Sequence, residues 1–101
     1  MCLTIAIDYD DTFTADPDLW REVIALMQSR GHRVICVSAR RNCLEHQQTL
    51  RNALPDGVTV LLSYGDPKRQ YAKQHGYRVD IWVDDMPEAI PTKEEFEVIG
   101  G

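Results

Sequence analysis

The chain has 101 residues, enough for one folding unit over residues 1–101 and too few for two. Hydrophobic residues make up 44% and charged residues 27%, which suits a domain with a buried core and a polar surface. The formal net charge of −5 argues against a generic nucleic-acid binder, which needs a basic surface overall, and leaves only a local basic patch for such a role.

Leu3 to Ile7 is a nearly continuous apolar run, the pattern of a parallel strand covered on both faces. Met1 to Ile7 carries no basic segment and no cleavage site, so it reads as that strand and not as a signal peptide. Asp16-Pro17 marks a helix start, because Asp caps well and Pro suits the first helical position. Leu19, Trp20, Val23, Ile24 and Met27 then share one face, and Gly31 ends the helix. Arg33 to Val37 is a second strand. A less regular helix follows over about Asn42 to Leu54, with Asn42 as cap and Glu45 placed for a capping box. Pro55-Asp56-Gly57 turns the chain into a third strand, Val58 to Leu62. Asp66-Pro67 opens a third helix that Gly76 closes, and Ile81 to Val83 is a fourth strand. In the tail, Glu94, Glu95 and Glu97 read as a solvated helical face. No apolar run is long enough to cross a bilayer, and no membrane partner is expected.

Cys2, Cys36 and Cys43 are odd in number and lack framework or Cys-x-x-Cys spacing, which argues against a disulfide scaffold and a zinc site. They fit a reduced, cytoplasmic protein with Cys36 in the core. His32, His46 and His75 have no ligand spacing and read as surface residues; Trp20 and Trp82 read as core.

Alternating βαβ units predict an α/β fold: a Rossmann-like three-layer αβα sandwich with a central parallel sheet and right-handed crossovers. Active residues in such sheets gather beyond the carboxyl ends of the strands. That edge holds Asp8-Tyr9-Asp10-Asp11-Thr12 after the first strand, Ser38-Ala39-Arg40 after the second, Ser63-Tyr64 leading to Lys68 after the third, and Asp84-Asp85 after the fourth.

Two carboxylates about 4 Å apart repel by roughly 4 kcal/mol at an effective dielectric of 20. Five converging there need raised pKa values or a cation, and Mg²⁺ is the natural choice, held by one or two carboxylates, waters and a substrate phosphate. Asp8 and Asp10, two apart on an extended chain, point the same way. One could attack a phosphorus atom while the other handles a proton. Arg40 and Arg41 fit phosphate contacts and surface charge equally well.

Ile5-Ala6-Ile7-Asp8-Tyr9-Asp10-Asp11-Thr12 resembles the first motif of the haloacid-dehalogenase-like (HAD) superfamily, an apolar strand followed by Asp-x-Asp-x-Thr. Val34-Ile35-Cys36-Val37-Ser38 is similar to the second motif, Lys68 to the third-motif lysine, and Ile81-Trp82-Val83-Asp84-Asp85 to the fourth in its paired-Asp form. The resemblance spans nearly the whole chain and implies a phosphatase with an aspartyl-phosphate intermediate. By that resemblance Asp8 is the nucleophile and Asp10 the general acid/base, with its backbone carbonyl on Mg²⁺. Ser38 holds the transferring phosphoryl group, and Lys68 the charged intermediate. Asp8, Asp10, Asp84 and Asp85 form the metal site, and Thr12 supports the loop; Thr12, Ala39 and Arg40 are the candidate substrate contacts. Asp11 departs from the family's usual Gly, which bears on the loop's shape.

Residues 13–37 and 39–67 are consumed by the predicted elements, so no cap domain fits between the motifs. An open site admits bulky phosphorylated substrates or is closed by another subunit of a homo-oligomer; nucleotides and nucleic-acid ends are among the candidate substrates. The alternatives are a phosphoacceptor domain of the response-regulator kind, whose acceptor Asp would end the third strand, and a metal- or phosphate-binding module without hydrolase activity.

Overall fold

The computed structural model describes residues 2–91. The predicted tail face of Glu94, Glu95 and Glu97 lies outside the described residues. The elements in chain order are β1 (Thr4–Ile7), α1 (Pro17–Ser29), β2 (Arg33–Ser38), α2 (Leu44–Ala53), β3 (Thr59–Leu62), α3 (Lys68–Gln74) and β4 (Ile81–Val83). Short 3-10 turns occupy Phe13–Ala15 and Pro87–Ala89.

The four strands form one parallel sheet in the order β3-β2-β1-β4. The register aligns Ile7 with Cys36 of β2 and with Val83 of β4, and Ser38 with Leu62 of β3. The carboxyl ends of the strands are thereby level, and the polar residues that stop each apolar run emerge on one edge.

The near-continuous apolar runs are explained by burial on both faces. Ile7, Val34, Cys36, Val60 and Leu62 point to one face and pack with Ile24 of α1 and Leu50 of α2. Ala6, Ile35, Val37 and Leu61 point to the other and pack with Ala72 of α3. Ile35 is fully buried, so its truncation to Ala is expected to cost about 2–5 kcal/mol.

Several local expectations are corrected. Asp16 does cap α1, its Oδ1 accepting from Leu19 N–H at 3.2 Å. Leu19, however, is 47% exposed, and the inward face of α1 is carried by Trp20, Ile24 and Met27. Asn42 does not cap α2; Cys43 holds that position in an extended conformation without a side-chain bond, and Asn42 Oδ1 accepts from Gln47 instead. α3 begins after Pro67, not Asp66, and has no side-chain cap. His32 and His46 are half-buried, and His32 Nδ1 accepts from Leu3 N–H at 3.0 Å, fixing the chain where it enters β1. Trp20 and Trp82 are half-buried against the two core faces. Cys36 is fully buried, and burial pushes its thiol pKa up, which suits a core residue and not a nucleophile. No helix among the described residues is long and apolar enough to cross a membrane.

Candidate active site

The ladder of β1 continues past Ile7: Asp8 N–H donates to Val83 O at 2.9 Å. Asp8 is therefore pinned beside the end of β4, level with Asp84. β1 is also where the strand order turns, with β2 and β3 on one side and β4 on the other. Ligands of doubly wound sheets bind at such a switch point.

Beyond Asp8 the chain folds back. Phe13 N–H donates to Asp8 O at 3.3 Å, Thr14 N–H to Tyr9 O at 3.0 Å, and Asp11 N–H to Thr14 Oγ1 at 3.0 Å. This loop requires Asp11 at φ 61°, in the left-handed region that favours glycine. Asp enters that region more readily than most side chains, so the residue that departs from the HAD pattern adopts the conformation a Gly would supply. The Asp10 carbonyl accepts no hydrogen bond among the described residues.

Asp8, Asp84 and Asp85 each offer one carboxylate oxygen, and the three lie within 4.8 Å of one another. Lys68, only 3% exposed, reaches in from the first turn of α3. Its Nζ donates to Asp8 Oδ1 at 2.9 Å and to Asp84 Oδ2 at 2.6 Å. Asp84 Oδ1 also accepts from Met86 N–H at 2.9 Å. The Thr12 hydroxyl faces Asp85 Oδ1 at 3.2 Å and Asp8 Oδ2 at 3.5 Å; it has one proton, and the shorter contact is the better bond.

Three carboxylates against one ammonium leave the group short of positive charge. Burial raises the Asp8 carboxyl to about 6; the Lys68 hydrogen bond pulls it down, while the charge of Asp84 and a hydrogen bond with Asp85 add to the rise. Burial alone would depress Lys68, but its bonds to Asp84 and Asp8 outweigh it and its pKa is raised. Lys68 is thus held as a cation while Asp8 is poised near neutrality.

Asp10 stands apart from the trio. Its carboxylate accepts a bidentate grip from Arg40, Nε to Oδ2 at 2.9 Å and Nη2 to Oδ1 at 2.8 Å. That grip holds its pKa below the usual carboxylate range. The Arg40 guanidinium also lies 5.2 Å from the Tyr9 ring centroid.

Ser38 ends β2 fully buried. Its Oγ accepts from Arg40 N–H at 3.2 Å, and its carbonyl accepts from Ser63 N–H at 2.8 Å and Ser63 Oγ at 3.3 Å. A cleft of ≈ 190 Å³ is walled by Asp8, Asp10, Ala39, Lys68, Asp84 and Asp85 among others. The structure therefore gathers Asp8, Asp10, Ala39, Lys68, Asp84 and Asp85 around one space. Ser38, Thr12 and Arg40 are not among the residues lining it and act on its walls from behind.

The sequence reading missed Tyr9 under Arg40, Ser63 anchoring Ser38, and Met86 N–H holding Asp84. Only the last left a local signal, an Asp two positions before the donor, as in an Asx turn.

The donor set fits a hard divalent cation. Three carboxylate oxygens within 4.8 Å of one another give the all-oxygen set such an ion takes, with waters and a substrate phosphate completing its shell. Comparison of the chain with family models, with curated proteins and with solved structures returned no match.

Proposed function

We propose that the chain is a Mg²⁺-dependent phosphohydrolase of the HAD-like kind, cleaving phosphomonoesters through an aspartyl-phosphate at Asp8. The observation that carries this reading is the juxtaposition of Asp8, Asp84 and Asp85 with a buried Lys68 at the switch point of the sheet.

Phosphate-monoester hydrolysis is among the slowest uncatalysed reactions, and a covalent intermediate divides it into two easier steps. In the first, an Asp8 oxygen bonds to phosphorus as the ester oxygen leaves, and Asp10 gives that oxygen its proton. In the second, Asp10 takes a proton from water, whose oxygen displaces Asp8 and releases phosphate. Lys68 stays charged throughout and offsets the negative charge gathering between Asp8 and the phosphoryl group. A bound Mg²⁺, held by Asp8, Asp84 or Asp85 and the Asp10 carbonyl, supplies positive charge against the phosphoryl oxygens. Ser38 Oγ, accepting from Arg40 N–H, fixes the turn that places Ala39 on the cleft wall and Arg40 behind Asp10.

For Asp10 to donate a proton, Arg40 has to release it. A substrate phosphate entering the cleft competes for the same guanidinium, so substrate binding and freeing of the acid are one event. The segments between the strands hold only the helices and the Phe13–Ala15 turn, which leaves the cleft open to bulky substrates.

The sheet order weighs against the phosphoacceptor alternative. Receiver domains run 2-1-3-4-5, whereas here β3 lies at the edge beside β2 and ends in Ser63-Tyr64. Hydrolysis of p-nitrophenyl phosphate tests the proposal. Turnover is expected with Mg²⁺, none with EDTA, and none in Asp8→Asn; robust turnover by Asp8→Asn would exclude the mechanism.

A further inference from the structure

The largest cavity among those described lies away from the acidic cleft, between α3 and β4, and shares no wall residue with it. Its volume is ≈ 490 Å³, within the range of small-molecule sites. Arg69, Lys73 and Arg78 line it together with Tyr77, Trp82 and Asp80. Asp80 is already engaged, its Oδ2 accepting from Thr4 N–H at 2.9 Å. A fourth cation, Arg33, stands 5.7 Å from the Tyr77 ring centroid. None of these four cations is in a salt bridge among the described residues. Trp82 Nε1 is buried and has no acceptor among them.

Unneutralised positive charge concentrated in one concavity is unexpected on a chain of net charge −5. Tyr77 and Trp82 line the same concavity and bring aromatic rings beside the cations. Cations, guanidinium planes and aromatic rings around one space suit a planar base joined to phosphate. A flexible acidic peptide would use the cations but has no planar group to stack on the arginines and aromatic rings.

We infer that the α3–β4 cavity binds a nucleotidyl group, with Arg69, Lys73 and Arg78 on phosphate and Trp82 and Tyr77 beside the base. The group belongs either to a free nucleotide or to one unit of a single-stranded nucleic acid. The inference does not depend on hydrolysis at Asp8.

The test uses the full chain in a Trp20→Phe background, where Trp82 is the remaining tryptophan. Trp82 fluorescence is titrated with ADP, an end-blocked oligothymidylate, inorganic phosphate and polyglutamate. Quenching by ADP or the oligonucleotide is expected, and the tighter of the two identifies the source. If the oligonucleotide binds, the slope of log affinity against log salt is about −2 for three cations. Lys73→Glu combined with Arg78→Glu, both exposed positions, weakens binding by about tenfold or more and leaves p-nitrophenyl phosphate hydrolysis at the level of the background. Absence of quenching by both nucleotidyl probes overturns the inference. So does equal quenching by phosphate or polyglutamate, or unchanged binding by the charge-reversed variant.

Discussion

Arg40 grips both carboxylate oxygens of Asp10 although 30 residues separate them in sequence. The two side chains come from the loops after β2 and β1, and meet because the parallel register brings both strand ends to one level. The pair ties the proposed general acid, on the cleft wall, to an arginine held behind that wall.

If Asp10 supplies the proton to the leaving oxygen, its removal is felt most where that oxygen is basic. Asp10→Asn is expected to lower turnover of an alkyl phosphate by about 10²–10⁴-fold, and of p-nitrophenyl phosphate by much less, because nitrophenolate leaves without a proton. Steady-state rates on the two substrates check this. Equal losses on both would assign Asp10 a positional role only.

Lys68 is the sole cation buried against Asp8 and Asp84 among the described residues. Lys68→Met keeps the volume but leaves two buried carboxylates without their partner, at a cost of about 3–5 kcal/mol. Urea unfolding in EDTA reads this loss. Saturating Mg²⁺ is expected to restore part of it, since a cation that binds only the folded state stabilises it.

The strand runs, the α1 cap and the polar stop at each of the four strand ends, acidic after β1 and β4, were legible in the sequence, because each is a local pattern: an apolar run stopped by a polar residue, or Asp before Pro. What was not legible depends on backbone angles or on distant partners. Asn42 lies where a cap belongs, yet α2 begins at Leu44 after an extended Cys43, so side-chain identity alone did not set the cap. Leu19 fits the helical spacing, but the sheet covers only the stripe around Ile24. The Arg40–Asp10 grip and the Ser63–Ser38 anchor arise from register, which no single segment encodes. The α3–β4 cavity draws Arg69, Lys73 and Arg78 from the single stretch 69–78, a local basic cluster that the chain's overall acidity hid.

Asp8 gives the metal-free protein a distinctive pH response. Its folded pKa of about 6 exceeds the ordinary 3.8, so the native state keeps a proton that the unfolded chain releases. This contribution is fully present below about pH 4 and is lost as pH rises toward 6, by about 1–3 kcal/mol in all. Asp10, held low by Arg40, acts oppositely: its stabilisation is present above its ordinary value and is lost as pH falls through its lowered one. Urea midpoints in EDTA between pH 4.5 and 6.5 are therefore expected to fall in the wild type relative to Asp8→Asn. Parallel curves would contradict the buried, raised carboxyl, and Mg²⁺ should reverse the trend by favouring the ionised form.

The left-handed Asp11 predicts an asymmetry between two substitutions. Asp11→Gly is expected to leave stability unchanged or raise it by up to about 1 kcal/mol, since Gly meets φ 61° without strain. Asp11→Val, β-branched, is expected to lose about 1–3 kcal/mol. Thermal melts of the two variants decide it; equal stabilities would mean that the loop relaxes out of this conformation.

The central claim is that phosphorus becomes bonded to Asp8. Borohydride added during turnover reduces an acyl phosphate to the alcohol, which peptide mass spectrometry locates. Homoserine at position 8, dependent on both Mg²⁺ and substrate, is the predicted result. Continued turnover with position 8 unmodified, or with the label on another carboxylate, would contradict the account.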